Sequence, residues 1–308
     1  MKTAFITHLD CDRHVTPPGH PEQVARLEAI REALAGFELL REDAPIGRME
    51  DILRCPPQHY IDCIENAVPE TGWNMLDGDT HMAPGSFQAS LRGVGGVIRA
   101  VDMVIGQEAT NAFVACRPPG HHAETETAMG FCLFGTAAIA AKYALDHHGL
   151  SKVAVLDFDV HHGNGTQEML WDDPRALLIT SQQMPLWPGS GRSDETGVSD
   201  NILNLPLPPD SGSAEMRAVW RDQGFAQLRS FRPELIIISA GFDAHMDDPL
   251  AQLNWTTEDF GWITSELCKL AAEICDGRIV STLEGGYDLN ALSAACRAHV
   301  EELIKAAT

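Results

Sequence analysis

Short apolar runs with many β-branched residues punctuate the chain at Thr3–Thr7, Ala112–Cys116, Val153–Leu156, Ala176–Thr180, Leu235–Ile238 and Ile279–Leu283. Between them lie longer stretches in which apolar residues return every three or four positions. Val24, Leu27, Ile30 and Leu34 after Pro21 are one example; Phe87–Ile105, Thr136–His147, Ala214–Phe231, Glu258–Ile274 and Leu289–Ala306 are others. A run that is apolar throughout fits a strand buried on both faces, and the 3.6-residue spacing fits an amphipathic helix. Their alternation predicts the α/β class, with a mainly parallel sheet between two layers of helices. In such sheets ligands bind beyond the carboxyl ends of the strands.

That rule gives four polar clusters a common address. Arg117-Pro-Pro-Gly-His121-His122 follows Ala112–Cys116, and Asp157-Phe-Asp159-Val-His161-His162-Gly-Asn164 follows Val153–Leu156. Ser239-Ala-Gly-Phe-Asp243 follows Leu235–Ile238, and Ile279–Leu283 runs into Glu284-Gly-Gly-Tyr287. All four emerge at the same end of their strands and can converge. Taken alone, the second cluster is equally an Asp/His-rich loop with satisfied hydrogen bonds; four clusters at one end argue for a site.

The residue types then specify a chemistry. Side chains alternate along an extended segment, so Asp157, Asp159 and His161 can face one way. Asp159, His161 and Asp243 supply two oxygens and one nitrogen and leave a position open, the pattern of a catalytic zinc site rather than a closed structural one. Zinc held there acts as a Lewis acid on a carbonyl and lowers the pKa of bound water towards about 7. His121 and His122, after a rigid Pro-Pro-Gly turn, flank that water as proton-transfer groups. Tyr287, behind two glycines that permit close backbone approach, can donate a hydrogen bond to a developing oxyanion. Competing motifs fail: His122-Ala-Glu124 has no Pro-Cys-x-x-Cys to complete a zinc deaminase pattern, and HExxH, GxSxG and Walker sequences are absent. Gly93-Val-Gly95-Gly96 lacks the last glycine of a dinucleotide loop and reads as close helix packing.

Composition changes this picture little. The 308 residues, 44% hydrophobic, with no linker or repeat to divide them, predict one catalytic domain over 1–308. The formal charge of −22 opposes nucleic-acid binding and is compatible with a cationic substrate such as a lysine-rich peptide or a polyamine. Eight scattered cysteines without a CxxC pair read as reduced thiols of a cytoplasmic protein. The first ten residues have too short an apolar stretch for a signal peptide, and no run approaches a membrane span.

The chain resembles the histone deacetylase family, including the bacterial deacetylase-like amidohydrolases and acetylpolyamine amidohydrolases. The resemblance is carried by Arg117–His122, Gly130-Phe131-Cys132, Asp157–Gly165, Pro188–Gly191, Ser239–Asp243 and Glu284–Tyr287, with His20-Pro-Glu-x-x-x-Arg26 similar to the N-terminal motif, and it runs from about residue 5 to the C-terminus. It implies the arginase–deacetylase fold, with an eight-stranded parallel sheet, and one Zn2+ per chain on Asp159, His161 and Asp243. It further implies that Tyr287 polarises the carbonyl, that His122 is the principal general base and acid, and that His121 assists with Asp157 on its outer nitrogen. Phe131 and Trp187 resemble the walls of an acetyl-lysine tunnel with Gly130 at its floor, and Asp79 resembles a rim residue that accepts a hydrogen bond from the substrate backbone.

Three positions narrow the reading. Asn164 stands where class I members carry aspartate, a class II-like feature. Tyr287 is present where some low-activity class II members carry histidine. Leu250 occupies the gate position where polyamine-selective members carry glutamate. The family also holds structural K+, but Gln182-Gln183 departs from the pattern common after that strand, so no K+ ligands are assigned. The leading reading is a zinc deacetylase acting on an acetylated lysine peptide or small acetylated amine. The alternatives are an acetylpolyamine or small-amide amidohydrolase, a non-catalytic module that binds acylated ligands, and an arginase-like dimanganese enzyme. The last would want DxHxD, and position 163 is glycine.

Overall fold

The computed structural model describes residues 2–308. Its strands are β1 (Thr3–Thr7), β2 (Leu40–Asp43), β3 (Asn74–Met75), β4 (His81–Met82), β5 (Asn111–Val114), β6 (Val153–Asp157), β7 (Ala176–Gln183), β8 (Ile202–Leu207), β9 (Leu235–Ala240) and β10 (Ile279–Leu283). Eight form one sheet in the order β2-β1-β5-β10-β9-β6-β7-β8, and every pairing in it is parallel. This is the arginase–deacetylase arrangement. β3 and β4 make a separate antiparallel ribbon.

The central strands β5, β10, β9 and β6 are buried along their whole length. Their apolar runs are continuous because helices cover both faces of the sheet. The helices Ser86–Ile105 and Thr136–Asp146 pack on each other, as do Thr257–Ile274 and Leu289–Ala307. Gly93–Gly96 lie inside the first of these. Asp288 caps the last helix, its carboxylate accepting from the amides of Asn290 and Ala291 at 3.0 and 2.8 Å.

Two strands of the eight-stranded sheet escape the apolar-run criterion, and both are its edges. In β2, Leu-Arg-Glu-Asp, half-buried and exposed residues alternate, and β8 keeps two half-buried positions, one of them Pro206. An edge strand needs fewer apolar residues, and a proline there removes no ladder hydrogen bond. The helix predicted over Ala214–Phe231 is also interrupted. It runs as Ser213–Val219, one wide π turn at Trp220–Gly224, then Phe225–Phe231. The turn accompanies full burial of Trp220, whose indole donates to Ser181 Oγ at 3.1 Å.

Candidate active site

The four central strands are neighbours, so the segments leaving their carboxyl ends meet. At the end of β6, Asp157 Oδ1 accepts the Asp159 amide at 3.0 Å, and Asp159 Oδ1 accepts the His161 amide at 2.9 Å. These two turns aim Asp159 and His161 at the segment after β9. There Asp243 Oδ2 lies 3.0 Å from His161 Nδ1, which is 3.3 Å from Asp159 Oδ1. The backbone holds both carboxylates: Val160 N–H donates to Asp243 Oδ1 at 2.9 Å and Gly285 N–H to Asp159 Oδ2 at 2.8 Å.

Asp159, His161 and Asp243 thus bring one donor atom each to within 4.8 Å of one another. Among the described residues no lysine or arginine pairs with either buried carboxylate. Buried carboxylates offset by imidazoles alone are costly, and two oxygens with one imidazole nitrogen suit a borderline divalent metal. The backbone approaches both carboxylates closely: a Cβ on Gly285 would lie 2.3 Å from Asp243 Oδ2 and 2.6 Å from Asp159 Oδ2. The donor set therefore fits a divalent cation. Burial and the Asp159 charge raise the Asp243 carboxyl, and although burial opposes it, the two carboxylates raise His161.

Two histidines from the segment after β5 stand beside this cluster with ring centres 3.9 Å apart. His121 Nδ1 meets Asp157 Oδ2 at 2.9 Å, and its Nε2 is 3.8 Å from Asp159 Oδ1. Burial acts to lower His121, but Asp159, Asp157 and Glu284 outweigh it and hold the imidazole well above its ordinary value. His122 Nδ1 meets Asn164 Oδ1 at 2.8 Å. Burial, then the positive neighbours His121 and His161, hold His122 well below its ordinary value. Two adjacent imidazoles are thereby driven in opposite directions, which is how a site separates an acid from a base.

A cavity of about 320 Å³ opens above the donor cluster. His122, Gly130, Phe131, His161, Trp187, Leu250, Tyr287 and Asp79 line it, with Trp187 and Asp79 exposed to solvent. Phe131 and Tyr287 meet edge to face with centres 5.8 Å apart, and Trp187 stands across His122 at 4.7 Å. Gly130 has φ +55°, and a Cβ there would fall 2.5 Å from the His122 ring and 2.6 Å from Trp187. The Tyr287 hydroxyl makes no hydrogen bond to the described residues, and burial keeps its phenol protonated by pushing it well above the usual range. All thirteen residues singled out from the sequence gather around this cavity, Asp157 and Asn164 as partners of its histidines.

The sequence model of the histone deacetylase domain matches residues 20–303. The chain belongs to the histone deacetylase family. It is 38% identical over 303 residues to the histone deacetylase-like amidohydrolase of Pseudomonas aeruginosa, covering 94% of this chain and 79% of that one. It is 38% identical over 298 residues to histone deacetylase 10, chloroplastic, of Oryza sativa subsp. japonica, covering 89% and 67%. The crystal structure of the HDA15 HD domain superposes with a TM-score of 0.90 at 29% identity, covering 98% of this chain and 90% of that one.

In this deacetylase-family hydrolase, residues outside the four strand-end clusters join the site, and further contacts bind the clusters to one another. His20, Pro21 and Leu186 line the cavity; the His20-Pro-Glu22-x-x-x-Arg26 spacing was the available signal. Glu22 pairs with Arg26, Arg117 and His14 in a fully buried cluster. Arg26 in turn donates to the carbonyls of Gly286 and Glu284 at 2.7 and 2.5 Å and lies 5.0 Å over the Tyr287 ring. Glu284 accepts the amides of Gly120 and His121 at 2.7 and 3.1 Å, tying the histidine turn to β10. The loop carrying Trp187 is pinned by Ser190 to His162 at 2.8 Å and by Glu195 to Gln167 at 2.7 Å.

Proposed function

We propose that residues 1–308 form one zinc-dependent deacetylase domain that hydrolyses the amide of N-acetyl-lysine or a related acylated amine. The observation that carries this reading is the convergence of Asp159, His161 and Asp243 beneath a narrow cavity into which His122 and Tyr287 also face. Bound by those three residues, zinc would polarise the amide carbonyl and lower the pKa of water at its open position towards about 7.

The chain's own groups supply the rest. Asn164 Nδ2 donates to Glu124 Oε1 at 2.8 Å, so its carbonyl oxygen faces His122. His122 Nδ1 then carries the hydrogen of that bond, and Nε2 keeps a free lone pair. His122 Nε2 takes a proton from the attacking water and returns one to the leaving amine. His121, held protonated by Asp157 and its acidic neighbours, adds positive charge beside the developing oxyanion. Tyr287 donates its phenolic hydrogen to that oxyanion, and Arg26 over its ring restrains its position. Phe131 and Trp187 sheathe the linear methylene chain of the substrate. Asp79 at the rim accepts from the substrate backbone, and Leu250 gives the mouth an apolar gate.

The intact His121, His122 and Tyr287 favour an enzyme over a module that only binds acylated ligands. All eight cysteines are free thiols, and no helix among the described residues is long and apolar enough to cross a membrane; both fit the cytoplasmic location we propose. A panel of acetyl-lysine peptides, acetylpolyamines and longer acyl-lysines, assayed on zinc-loaded protein, tests the proposal. Acetyl-lysine should give the highest kcat/KM. A tenfold preference for acetylpolyamines, about 1.4 kcal/mol, would make the amidohydrolase reading correct instead.

A further inference from the structure

Asp248 lies on the segment that follows the candidate ligand Asp243, and it is only 6% exposed. Among the described residues no arginine, lysine or histidine pairs with it. Its carboxylate is satisfied by backbone amides instead. Oδ2 accepts from Tyr287 N–H at 2.7 Å and more weakly from Asp288 N–H at 3.4 Å, while Oδ1 accepts from Leu250 N–H at 3.0 Å. The two segments it joins touch at one further backbone bond, Phe242 N–H to the Gly285 carbonyl at 3.0 Å. A buried carboxylate with no counter-charge is an expensive way to hold two loops. It is justified where two amides pointing from different segments must be fixed at once, because one carboxylate offers two acceptor oxygens in a rigid plane.

From this geometry we infer that Asp248 is a positioning residue that sets the phenol of Tyr287 for catalysis and, with its other oxygen, the gate residue Leu250. The inference rests on the reading of Tyr287 as the oxyanion donor. Tyr287 follows Gly286, whose φ is +118°, so its amide lies beside a backbone joint that the neighbouring peptide restrains weakly. Behind it, Asp288 starts the last helix. Between that joint and that helix, the Asp248 bond fixes the amide of Tyr287 itself. A displacement of about 1 Å at a catalytic group can lower a rate by about a hundredfold. The same carboxylate holds the mouth and the floor of the cavity in register, so the width of the gate and the aim of the phenol are set together.

The test is a double-mutant cycle on the zinc-loaded full chain with an acetyl-lysine peptide. Asp248→Asn keeps the shape but offers one carbonyl oxygen in place of two, so one of the two segments loses its acceptor. If Asp248 acts through Tyr287, Asp248→Asn lowers kcat about tenfold or more in the parent with one metal equivalent retained. The same change then lowers kcat less than about twofold in the Tyr287→Phe background, because residues that act as a unit are not additive. An equal loss in both backgrounds, or parental kcat for Asp248→Asn, overturns the inference. Should Asp248→Asn fail to fold, Asp248→Glu, which keeps two acceptor oxygens, enters the same cycle with the same criterion. Parental turnover by Tyr287→Phe alone is a separate result, and it removes the donor reading of Tyr287 on which the inference stands.

Discussion

Asn164 presents its amide oxygen 2.8 Å from Nδ1 of His122, giving that imidazole a neutral partner where its neighbour His121 has the Asp157 carboxylate at 2.9 Å. The two histidines are adjacent in sequence and nearly in contact, yet their surroundings assign them different protonation states. With nothing anionic on its outer nitrogen, His122 is left to burial and to the positive charge beside it, both of which favour the neutral ring.

The acid limb of the pH profile should follow from this. His122 works as a base only when neutral, so activity falls as pH drops through its pKa, which lies below the ordinary value of about 6.5. Asn164→Asp supplies a carboxylate that favours the charged ring, so the acid limb of kcat/KM should move to higher pH. An unmoved limb, or one displaced downwards, would show that His122 is not the group titrating.

His121 should govern the other side. In the metal-free site Asp159, Asp157 and Glu284 raise it against burial; a bound cation offsets the Asp159 charge and leaves Asp157 and Glu284 as the anions that sustain the imidazolium. Asp157→Asn removes one of those anions, and the alkaline limb should shift to lower pH. His121→Ala should leave more residual activity than His122→Ala when both are assayed metal-replete; the opposite ranking would exchange the two roles.

For Tyr287→Phe we expect the fold and metal content to be kept and kcat to fall about 10²–10³-fold, the usual effect of removing one oxyanion donor. Single-turnover kinetics with metal content measured on the same sample separate this from metal loss.

Metal binding should release protons. In the metal-free site burial and the Asp159 charge raise Asp243 to about 7, and the two carboxylates raise His161, so a cation binding near neutral pH displaces protons from the pair. Affinity should therefore rise with pH, and titration calorimetry in two buffers of different ionisation enthalpy should differ at neutral pH. Asp159→Ala or Asp243→Ala should abolish metal retention and amidase activity together. Two metal equivalents at full activity would refute a single-ion site and revive the arginase-like option.

Substrate choice should turn on Leu250 and Asp79. Leu250→Glu places an anion at the mouth and should shift the kcat/KM ratio towards acetylpolyamines. Asp79→Ala should harm acetyl-lysine peptides more than small acetamides. Equal losses on both substrate types would leave Asp79 as an ordinary turn residue; the Asp77 carboxylate already caps its amide at 3.0 Å.

What the sequence displayed and what it hid have one physical origin. Strands β5, β6, β9 and β10 are buried on both faces, so they appear as unbroken apolar runs, and the polar clusters that follow them are abrupt. β2 and β8 lie at the edges, where Arg41, Glu42, Asp43 and Pro206 are tolerated and the run dissolves. The interruption at Trp220–Gly224 leaves the helical spacing on either side intact, so spacing alone predicts one helix. Within the site, groups expected to touch a metal or a substrate were legible because their residue types are rare at strand ends. Asp248 and Glu195 were not legible: each works by accepting backbone amides from a segment distant in sequence or from its own turn, and no residue type advertises that.

β10 is the last strand of the chain, yet it lies in the middle of the sheet, hydrogen-bonded to β5 on one side and β9 on the other. Until it is inserted, the segments bearing His121 and Asp243 belong to two half-sheets with nothing between them, and Glu284, Gly285 and Tyr287 are not in place. Assembly is thus dominated by contacts between residues far apart in sequence, which makes for slow folding. A chain interrupted before residue 279 would not be a shortened enzyme with a weakened site. It would expose two unpaired inner edges, and such edges recruit other strands. Premature termination or late proteolysis should therefore produce aggregation rather than partial activity.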